Sequence, residues 1–202
     1  MTSELVIHGY ETSNNIKVRV ALGYKDIAYT FRAIDPADRT EIMRLSGQRL
    51  TPIMVHGDRV LFDSAAILRY LEANFRDRPS LFGSSIEEQW AIEDLEFFAR
   101  VTLAGPMVEL VHHRRSGGAA DEAMQNRCAA AFAQATRHLA QRLGGRAWLV
   151  GEAMSAADVT AAAVMYRIRH SGIFGMPPEA ERLREWEDRV IAYDRHLKRP
   201  RS

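Results

Sequence analysis

The stretch FDSAAILRYL, residues 62–71, carries an acid and a serine directly in front of an apolar helix pattern. Ser64 is predicted to be the helix N-cap, because a serine hydroxyl accepts a hydrogen bond from a free backbone N–H of the first turn. Apolar residues then recur at helical spacing, at Ile67, Leu68 and Leu71. A cap at Ser64 leaves Asp63 outside the helix, so the position of this acid requires a separate explanation.

The composition of the chain is that of a soluble globular protein. Its 202 residues are enough for one large domain or two small ones, and 47% are hydrophobic and 26% charged. The formal net charge of +1 argues against nucleic acid or an anionic membrane as the main partner. No apolar run approaches the roughly 18 residues of a membrane-spanning helix. Since the N-terminus shows no signal-peptide pattern, we expect a cytoplasmic protein.

The single cysteine restricts the chemistry open to the chain. Cys128 permits no intramolecular disulfide and no multi-cysteine metal site. It lies among alanines within a helical pattern, so we expect a buried packing residue rather than a nucleophile. The adjacent His112 and His113 do not share a helix face, and no further ligands are spaced for zinc. We therefore expect no metal cofactor.

The order of predicted elements divides the chain into two parts. Residues 1–76 mix short strand and helix patterns, and 77–85, rich in Pro, Gly and Ser, form a predicted linker. Residues 16–24 are ambiguous, since their alternation of apolar residues by itself favours a strand. The prediction is a small α/β domain followed by an all-helical domain. The predicted helices of the second part are 86–115, kinked at Gly105-Pro106, then 121–143, 155–172 and 178–197.

Three motifs, in this order and spacing, resemble those of the cytosolic glutathione S-transferase family over essentially the whole chain. They are Thr51-Pro52, the run DSAAILRYLE at 63–72, and SAADV at 155–159. The resemblance implies a thioredoxin-like N-terminal domain of order βαβαββα in 1–76, and an all-helical C-terminal domain in 86–202. It also implies that 16–24 is the first helix. A homodimer is implied as well, in which the N-terminal domain of one subunit meets the helical domain of the other.

Glutathione binding, which the resemblance implies, gives Asp63 a role. Its carboxylate would pair with the γ-glutamyl ammonium of glutathione. Ser64 and the free N–H groups of the helix start would bind the γ-glutamyl carboxylate. A helix cap with a favourable charge at the helix start is the simpler alternative.

The Thr51-Pro52 pair is implied to hold the middle of the ligand. In the resembled fold this bond is cis, an uncommon geometry that usually marks a tight functional turn. Thr51 would offer its backbone N–H and C=O to the cysteinyl unit, at a position where most relatives have Val or Ile. Arg49 stands where relatives place a basic or amide residue for the glycyl carboxylate. The alternatives are a plain strand-start proline at Pro52 and a merely solvated Arg49.

Activation of the glutathione thiol is the third role that the resemblance implies. Family members stabilise the thiolate, which is the nucleophile, with a hydroxyl or cysteine just after the first strand. Thr12 lies five residues before Lys17 in TSNNIK, Ser13 is adjacent, and Asn14 follows. A hydroxyl donor and the positive end of the first helix both favour the thiolate over the thiol. A helix cap and turn would explain the same residues without catalysis.

The electrophile pocket is the least defined part of the expected site. Tyr10 could activate the thiol instead or line this pocket, and Met107 and His113 are further pocket candidates. The leading hypothesis is a glutathione transferase that joins glutathione, its co-substrate, to small hydrophobic electrophiles, as in detoxification. One alternative is a glutathione-dependent disulfide oxidoreductase of the nu type, which the Thr-x-Asn spacing resembles. The other is a non-catalytic binding or scaffold protein.

Overall fold

The computed structural model describes residues 4–119 and 121–197. Their contacts form two compact units: one runs to Leu81 and takes in the segment from Ile191 onward, and the other is Phe82–Val190. The first unit combines a sheet with helices, and the second is helical. The predicted fold class, a thioredoxin-like domain followed by an all-helical part, is confirmed. The linker predicted at residues 77–85 stays a prediction.

The sheet of the first unit is built around its first strand. The strands are β1 (Leu5–Gly9), β2 (Thr30–Ala33), β3 (Ile53–His56) and β4 (Arg59–Leu61). Their order is β2-β1-β3-β4, with β1 parallel to β2 and antiparallel to β3. β3 and β4 pair as the hairpin that Gly57-Asp58 predicts. All five residues of β1 are buried, so this strand lies in the core of the unit.

Three helices belong to the same unit. They are α1 (Ser13–Tyr24), α2 (Thr40–Ser46) and α3 (Ser64–Asn74). Residues 16–24 are thus helical, as the resemblance implies, and the strand-like alternation there is misleading. The reason is that α1 is buried on nearly all sides, including Lys17 and Arg19, so its apolar residues are not confined to one helical face. α1 packs against α3, which fixes the two helix starts relative to each other.

The segment from Ile191 onward is fastened to α1 by a buried ion pair. Asp194 Oδ2 accepts a hydrogen bond from Arg19 Nε at 2.8 Å, and the two side chains are 0% and 3% exposed. The Arg19 guanidinium also lies over the Phe31 ring, 4.7 Å from its centroid. Because α1 begins at the candidate site, this pair links the stability of the site to the end of the described chain.

The second unit is a set of helices. They are α4 (Ile86–Phe98), α5 (Gly105–Arg115), α6 (Glu122–Leu143), α7 (Ala156–Ser171), α8 (Pro178–Arg182) and α9 (Arg184–Ile191). The prediction of one helix over 86–115 is corrected, since a π-helical turn, Ala99–Leu103, separates α4 from α5. Pro106 lies in the first turn of α5, where its missing N–H costs nothing. Gly105-Pro106 therefore starts a helix rather than kinking one.

The C-terminal helix is also shorter than predicted. In place of one helix over 178–197, α8 and α9 meet at Leu183, and α9 ends at Ile191. The chain then leaves helical geometry and brings Asp194 to Arg19. No helix in residues 4–119 and 121–197 is long and apolar enough to cross a membrane.

Helix α7 begins with the capping box that SAADV predicts. Asp158 Oδ2 accepts hydrogen bonds from the Ser155 backbone N–H and hydroxyl, at 2.9 and 2.7 Å. Its other oxygen accepts from Leu149 N and Trp186 Nε1, both at 2.9 Å. Burial raises the pKa of Asp158, and these hydrogen bonds oppose the rise. The box is structural: it closes the start of a helix that is buried along most of its length.

Candidate active site

The candidate site lies where the end of β1 meets the start of β3. His8 of β1 pairs with Ile53 of β3, so the residues after β1 and those before β3 share one edge of the sheet. Thr12 and the start of α1 follow β1 at this edge, and Thr51-Pro52 leads into β3. The Thr51-Pro52 peptide bond is cis, as the resemblance implies.

Thr12 is the N-cap of α1. Its backbone is extended, and its Oγ1 accepts hydrogen bonds from Asn15 N at 3.3 Å and from Asn15 Nδ2 at 2.8 Å. A threonine hydroxyl has two acceptor positions and one proton. With both acceptor positions occupied, the proton is left to be donated to a group outside the helix. Thr12 as a whole residue is half-buried.

Asn15 is a site residue that the sequence reasoning missed. It is fully buried in the first turn of α1, and its Nδ2 donates to Thr51 Oγ1 at 2.9 Å as well as to Thr12. The carboxamide fits because residue 9 is glycine: a Cβ there would lie 1.6 Å from Asn15 Oδ1. The signal in the sequence was a second asparagine inside a helix start, but only the fold shows that it reaches Thr51.

A separate hydrogen bond joins the start of α1 to the start of α3. The Ser64 hydroxyl donates to Asn14 Oδ1 at 3.3 Å, and Ser64 is buried whereas Asn14 is exposed. Thr12, Asn14, Thr51 and Ser64, all predicted site residues, are thus brought together by the structure. Ser13, the first residue of α1, lies between Thr12 and Asn14.

The N-cap of α3 is Asp63, and the assignment of this role to Ser64 is wrong. Asp63 has extended backbone, and its Oδ1 accepts from Ala66 N at 2.8 Å, while Ser64 is the first helical residue. The carboxylate takes the cap because the extended conformation of residue 63 aims its side chain back at the first turn. A carboxylate at this end also interacts favourably with the helix dipole. The helix cap therefore explains the position of Asp63 locally. The cap uses only Oδ1, so the other carboxylate oxygen is not needed for it.

Arg49, the residue predicted for the glycyl end, lies in an exposed loop. Arg49 and Leu50 are exposed, and Leu50 is 74% exposed. Gln48 hydrogen-bonds within the same loop: its Nε2 donates to the Leu50 carbonyl oxygen at 2.9 Å. The structure therefore leaves the Arg49 side chain on the surface, near Thr51 in sequence.

Tyr10 is paired with an arginine that the sequence reasoning did not single out. Arg39 Nη2 donates to the Tyr10 hydroxyl at 3.0 Å, and the guanidinium lies 4.6 Å from the centroid of the Tyr10 ring. Arg39 precedes α2 and is far from Tyr10 in sequence, so no local pattern could have indicated the pair. The tyrosine hydroxyl accepts from Arg39 and keeps its own proton for donation.

His8 adds a neutral group to this end of β1. Burial lowers its pKa, and Glu41, 3.6 Å from Nδ1, opposes the effect while Arg32 and Arg44 reinforce it. The lowered pKa favours the neutral form of the imidazole.

The remaining candidates lie in the second unit. Met107 and His113 are half-buried on α5, and His113 Nε2 donates to the Ala119 carbonyl oxygen at 2.8 Å. Their role as pocket residues stays a prediction. Cys128, on α6, is 1% exposed, as expected of a packing residue, and burial raises the pKa of its thiol. Within residues 4–119 and 121–197, no cluster of three or more His, Cys, Asp or Glu side chains could hold a metal ion.

Comparisons with known proteins agree with this architecture. Residues 7–79 match the sequence model of the family described as "Glutathione S-transferase, N-terminal domain". A glutathione S-transferase of Triticum aestivum is 32% identical over 79 residues, which are 39% of this chain and 37% of the wheat protein. The matched stretch thus covers well under half the length of that relative.

Solved structures resemble the chain over nearly its whole length. A glutathione S-transferase from Rhodospirillum rubrum F11 is 24% identical, with a TM-score of 0.76, covering 95% of this chain and 90% of that one. Ure2p in complex with glutathione is 16% identical, with a TM-score of 0.80, covering 95% and 98%. Residues 7–79 thus match a glutathione S-transferase N-terminal domain, and the solved structures show that the chain shares the fold of glutathione S-transferases.

Proposed function

We propose that the protein is a glutathione transferase in which Thr12 stabilises the thiolate of bound glutathione for attack on a small hydrophobic electrophile. The observation that carries the proposal is the hydrogen-bonded set formed by the starts of α1 and α3 and by Thr51, which precedes β3. In it, Thr12 and Thr51 share the Asn15 amide, and Asn14 is joined to Ser64. The glutathione bound to Ure2p, which has the same fold, supports the same ligand here.

The start of α3 is the proposed subsite for the γ-glutamyl end. Asp63 uses Oδ1 as the helix cap, and the second carboxylate oxygen is available to the ammonium group. Backbone N–H groups at a helix start favour an anion, so the γ-glutamyl carboxylate fits beside Ser64. One helix start thus recognises both charges of a zwitterion.

The middle of the tripeptide is assigned to Thr51. This residue lies two positions before Ile53, the first paired residue of β3, so its backbone is outside the β1–β3 ladder. A ligand backbone can add there like a further strand. Arg49, two residues earlier and exposed, is the proposed partner of the glycyl carboxylate.

In this proposal the ligand sulfur lies beside Thr12. The hydroxyl proton, not needed within the helix, donates to the sulfur and stabilises the negative charge when the thiol proton leaves to solvent. The thiolate then attacks an electrophilic carbon and forms the new C–S bond. In a substitution the leaving group departs with the electron pair, and in an addition the carbanion takes a proton from water.

Calorimetric titration with reduced and with oxidised glutathione tests the function most simply. The transferase is expected to bind reduced glutathione and to turn over an aromatic halide electrophile. Tighter binding of the disulfide, with reduction of it in place of conjugation, would favour the oxidoreductase. Absence of binding to both forms would leave a scaffold protein. A cytoplasmic location and a homodimer are part of the same proposal, and sedimentation of the purified chain tests the dimer.

A further inference from the structure

The Asn15 carboxamide is the only side chain among the described residues that hydrogen-bonds both Thr12 and Thr51. Its two N–H groups are divided between the two hydroxyl oxygens, at 2.8 and 2.9 Å. Thr12 and Thr51 are 39 residues apart in the chain, and no local constraint relates their side chains. The buried amide therefore sets one hydroxyl relative to the other.

The orientation of this amide decides what Thr12 can do. With Nδ2 facing the hydroxyls, Thr12 must accept and its proton points away. With Oδ1 in that place, both hydroxyls would donate inward, and Thr12 would have no proton for a ligand. The inward alternative would also leave the amide N–H groups at the position of Oδ1, which has no hydrogen-bond partner among the described residues. A buried carbonyl oxygen without a partner is better tolerated than buried N–H donors without one.

This contact also explains why residue 51 is a threonine. Pairing with a ligand backbone needs only its main chain, for which valine would serve equally well. The hydroxyl has a different use: it receives the second Asn15 N–H, which would otherwise be buried without an acceptor. Asn15 and Thr51 thus form a matched pair, with Gly9 providing the space for the amide.

We propose that Asn15 is a positioning residue, which turns the Thr12 proton toward the glutathione sulfur and fixes Thr51 beside it. Asn15 itself touches neither sulfur nor electrophile. The proposal rests on the proposed function, since it needs Thr12 as the donor to the thiolate. It adds that the donor is directed by a buried amide, and that Thr51 is part of the same device.

The test measures the thiol pKa of bound glutathione, from the ultraviolet absorbance of the thiolate against pH, in Thr12→Ala, Asn15→Leu and the double variant. Leucine keeps the branched shape of asparagine without its N–H groups. Each single change is expected to raise the thiol pKa by about one unit. The double change should raise it no further, because Asn15 acts through Thr12. Affinity for S-methylglutathione, which has no thiol to ionise, should stay within about threefold, since most binding comes from the ends of the tripeptide.

The outcomes separate the two proposals. An unchanged thiol pKa in Thr12→Ala overturns the proposed function and this inference with it. A rise in Thr12→Ala with none in Asn15→Leu overturns only the role of Asn15. Fully additive rises in the double variant also overturn it, because the two residues would then act independently.

Thr51→Val decides the matter if Asn15→Leu does not fold. Valine preserves the branched shape and the backbone but frees one end of the Asn15 amide, so a smaller rise in thiol pKa is expected. An unchanged value overturns the inference. The matched control is Thr136→Val, which removes a buried hydroxyl from α6, where Thr136 donates to the Phe132 carbonyl oxygen. This control should leave the thiol pKa where it is in the parent protein.

Discussion

Replacing Asp63 tests whether its carboxylate recognises the γ-glutamyl ammonium or only caps α3. The residue has both uses available, since Oδ1 accepts from Ala66 N at 2.8 Å and the second oxygen is available to a ligand. Asp63→Asn keeps an oxygen for the cap and removes the charge. Asp63→Ala removes both. The pair of variants therefore separates helix stability from ligand binding.

The expected magnitudes differ for the two properties. Loss of the cap in Asp63→Ala should cost about 1 kcal/mol of unfolding free energy, a fall of about 2–4 °C in Tm, whereas asparagine is as good a cap as aspartate. Loss of the ammonium partner should cost about 1–2 kcal/mol of binding, or about 5–30-fold in Kd, in both variants. The figure is below that for a buried pair because Asp63 is exposed and its charge is screened.

Isothermal titration calorimetry with glutathione at two salt concentrations measures the change in Kd for glutathione. The difference between parent and variants should shrink at high salt. The matched control is the glutathione analogue with a glutaryl group in place of γ-glutamate, which lacks the ammonium and should bind parent and Asp63→Asn alike. The reasoning is refuted if Asp63→Asn binds glutathione as tightly as the parent protein at low salt.

Three further outcomes are expected. Cys128→Ser should leave glutathione-dependent turnover nearly unchanged, because the thiol is 1% exposed and burial raises its pKa; lost turnover at unchanged Tm would reveal a redox role. Asp194→Ala should lower the unfolding free energy by about 3–5 kcal/mol in denaturant titration, because it leaves the Arg19 charge buried without its partner; the exposed Arg195→Ala is the control, and equal losses would contradict the argument. Burial opposes a lower pKa for Glu72, but hydrogen bonds from Ser80, Leu81 N and Lys25 outweigh it, and the pKa is lowered. The ionised carboxylate therefore stabilises the fold above the unfolded pKa of about 4.3. This stabilisation is lost as the pH falls through the lower folded pKa. Glu72→Gln should therefore flatten the acid limb of the stability curve, and an unchanged limb would count against this pair.

The fold could be predicted from the sequence because its signals are local. The Gly57-Asp58 turn, the Ser155–Asp158 capping box and the apolar spacing of α3 each depend on neighbouring residues. The alternation of apolar residues in 16–24 wrongly suggested a strand. Because α1 is buried on nearly all sides, its apolar residues do not follow the 3.6-residue repeat of a helix with one buried face. The resemblance, not the period, identified this helix.

The candidate site could be predicted only in part. Thr12, Thr51 and Ser64 follow from motifs, but which of Asp63 and Ser64 caps α3 depends on the backbone conformation of residue 63. The contact of Asn15 with Thr51 could not be found from sequence, because the two residues are 36 positions apart and meet only in the folded chain. Such contacts are set by tertiary packing and leave no pattern in neighbouring residues.

The most direct test of the account is the thiol pKa of glutathione bound to the parent protein, to Thr12→Ala and to Thr12→Ser. The account predicts a value for the parent below that of free glutathione, a rise of about one unit in Thr12→Ala, and a value near the parent's in Thr12→Ser, which keeps a hydroxyl at the helix cap. A thiol that titrates at the same pH in the parent and in Thr12→Ala would contradict it, and the donor would then have to be sought at Ser13 or Tyr10.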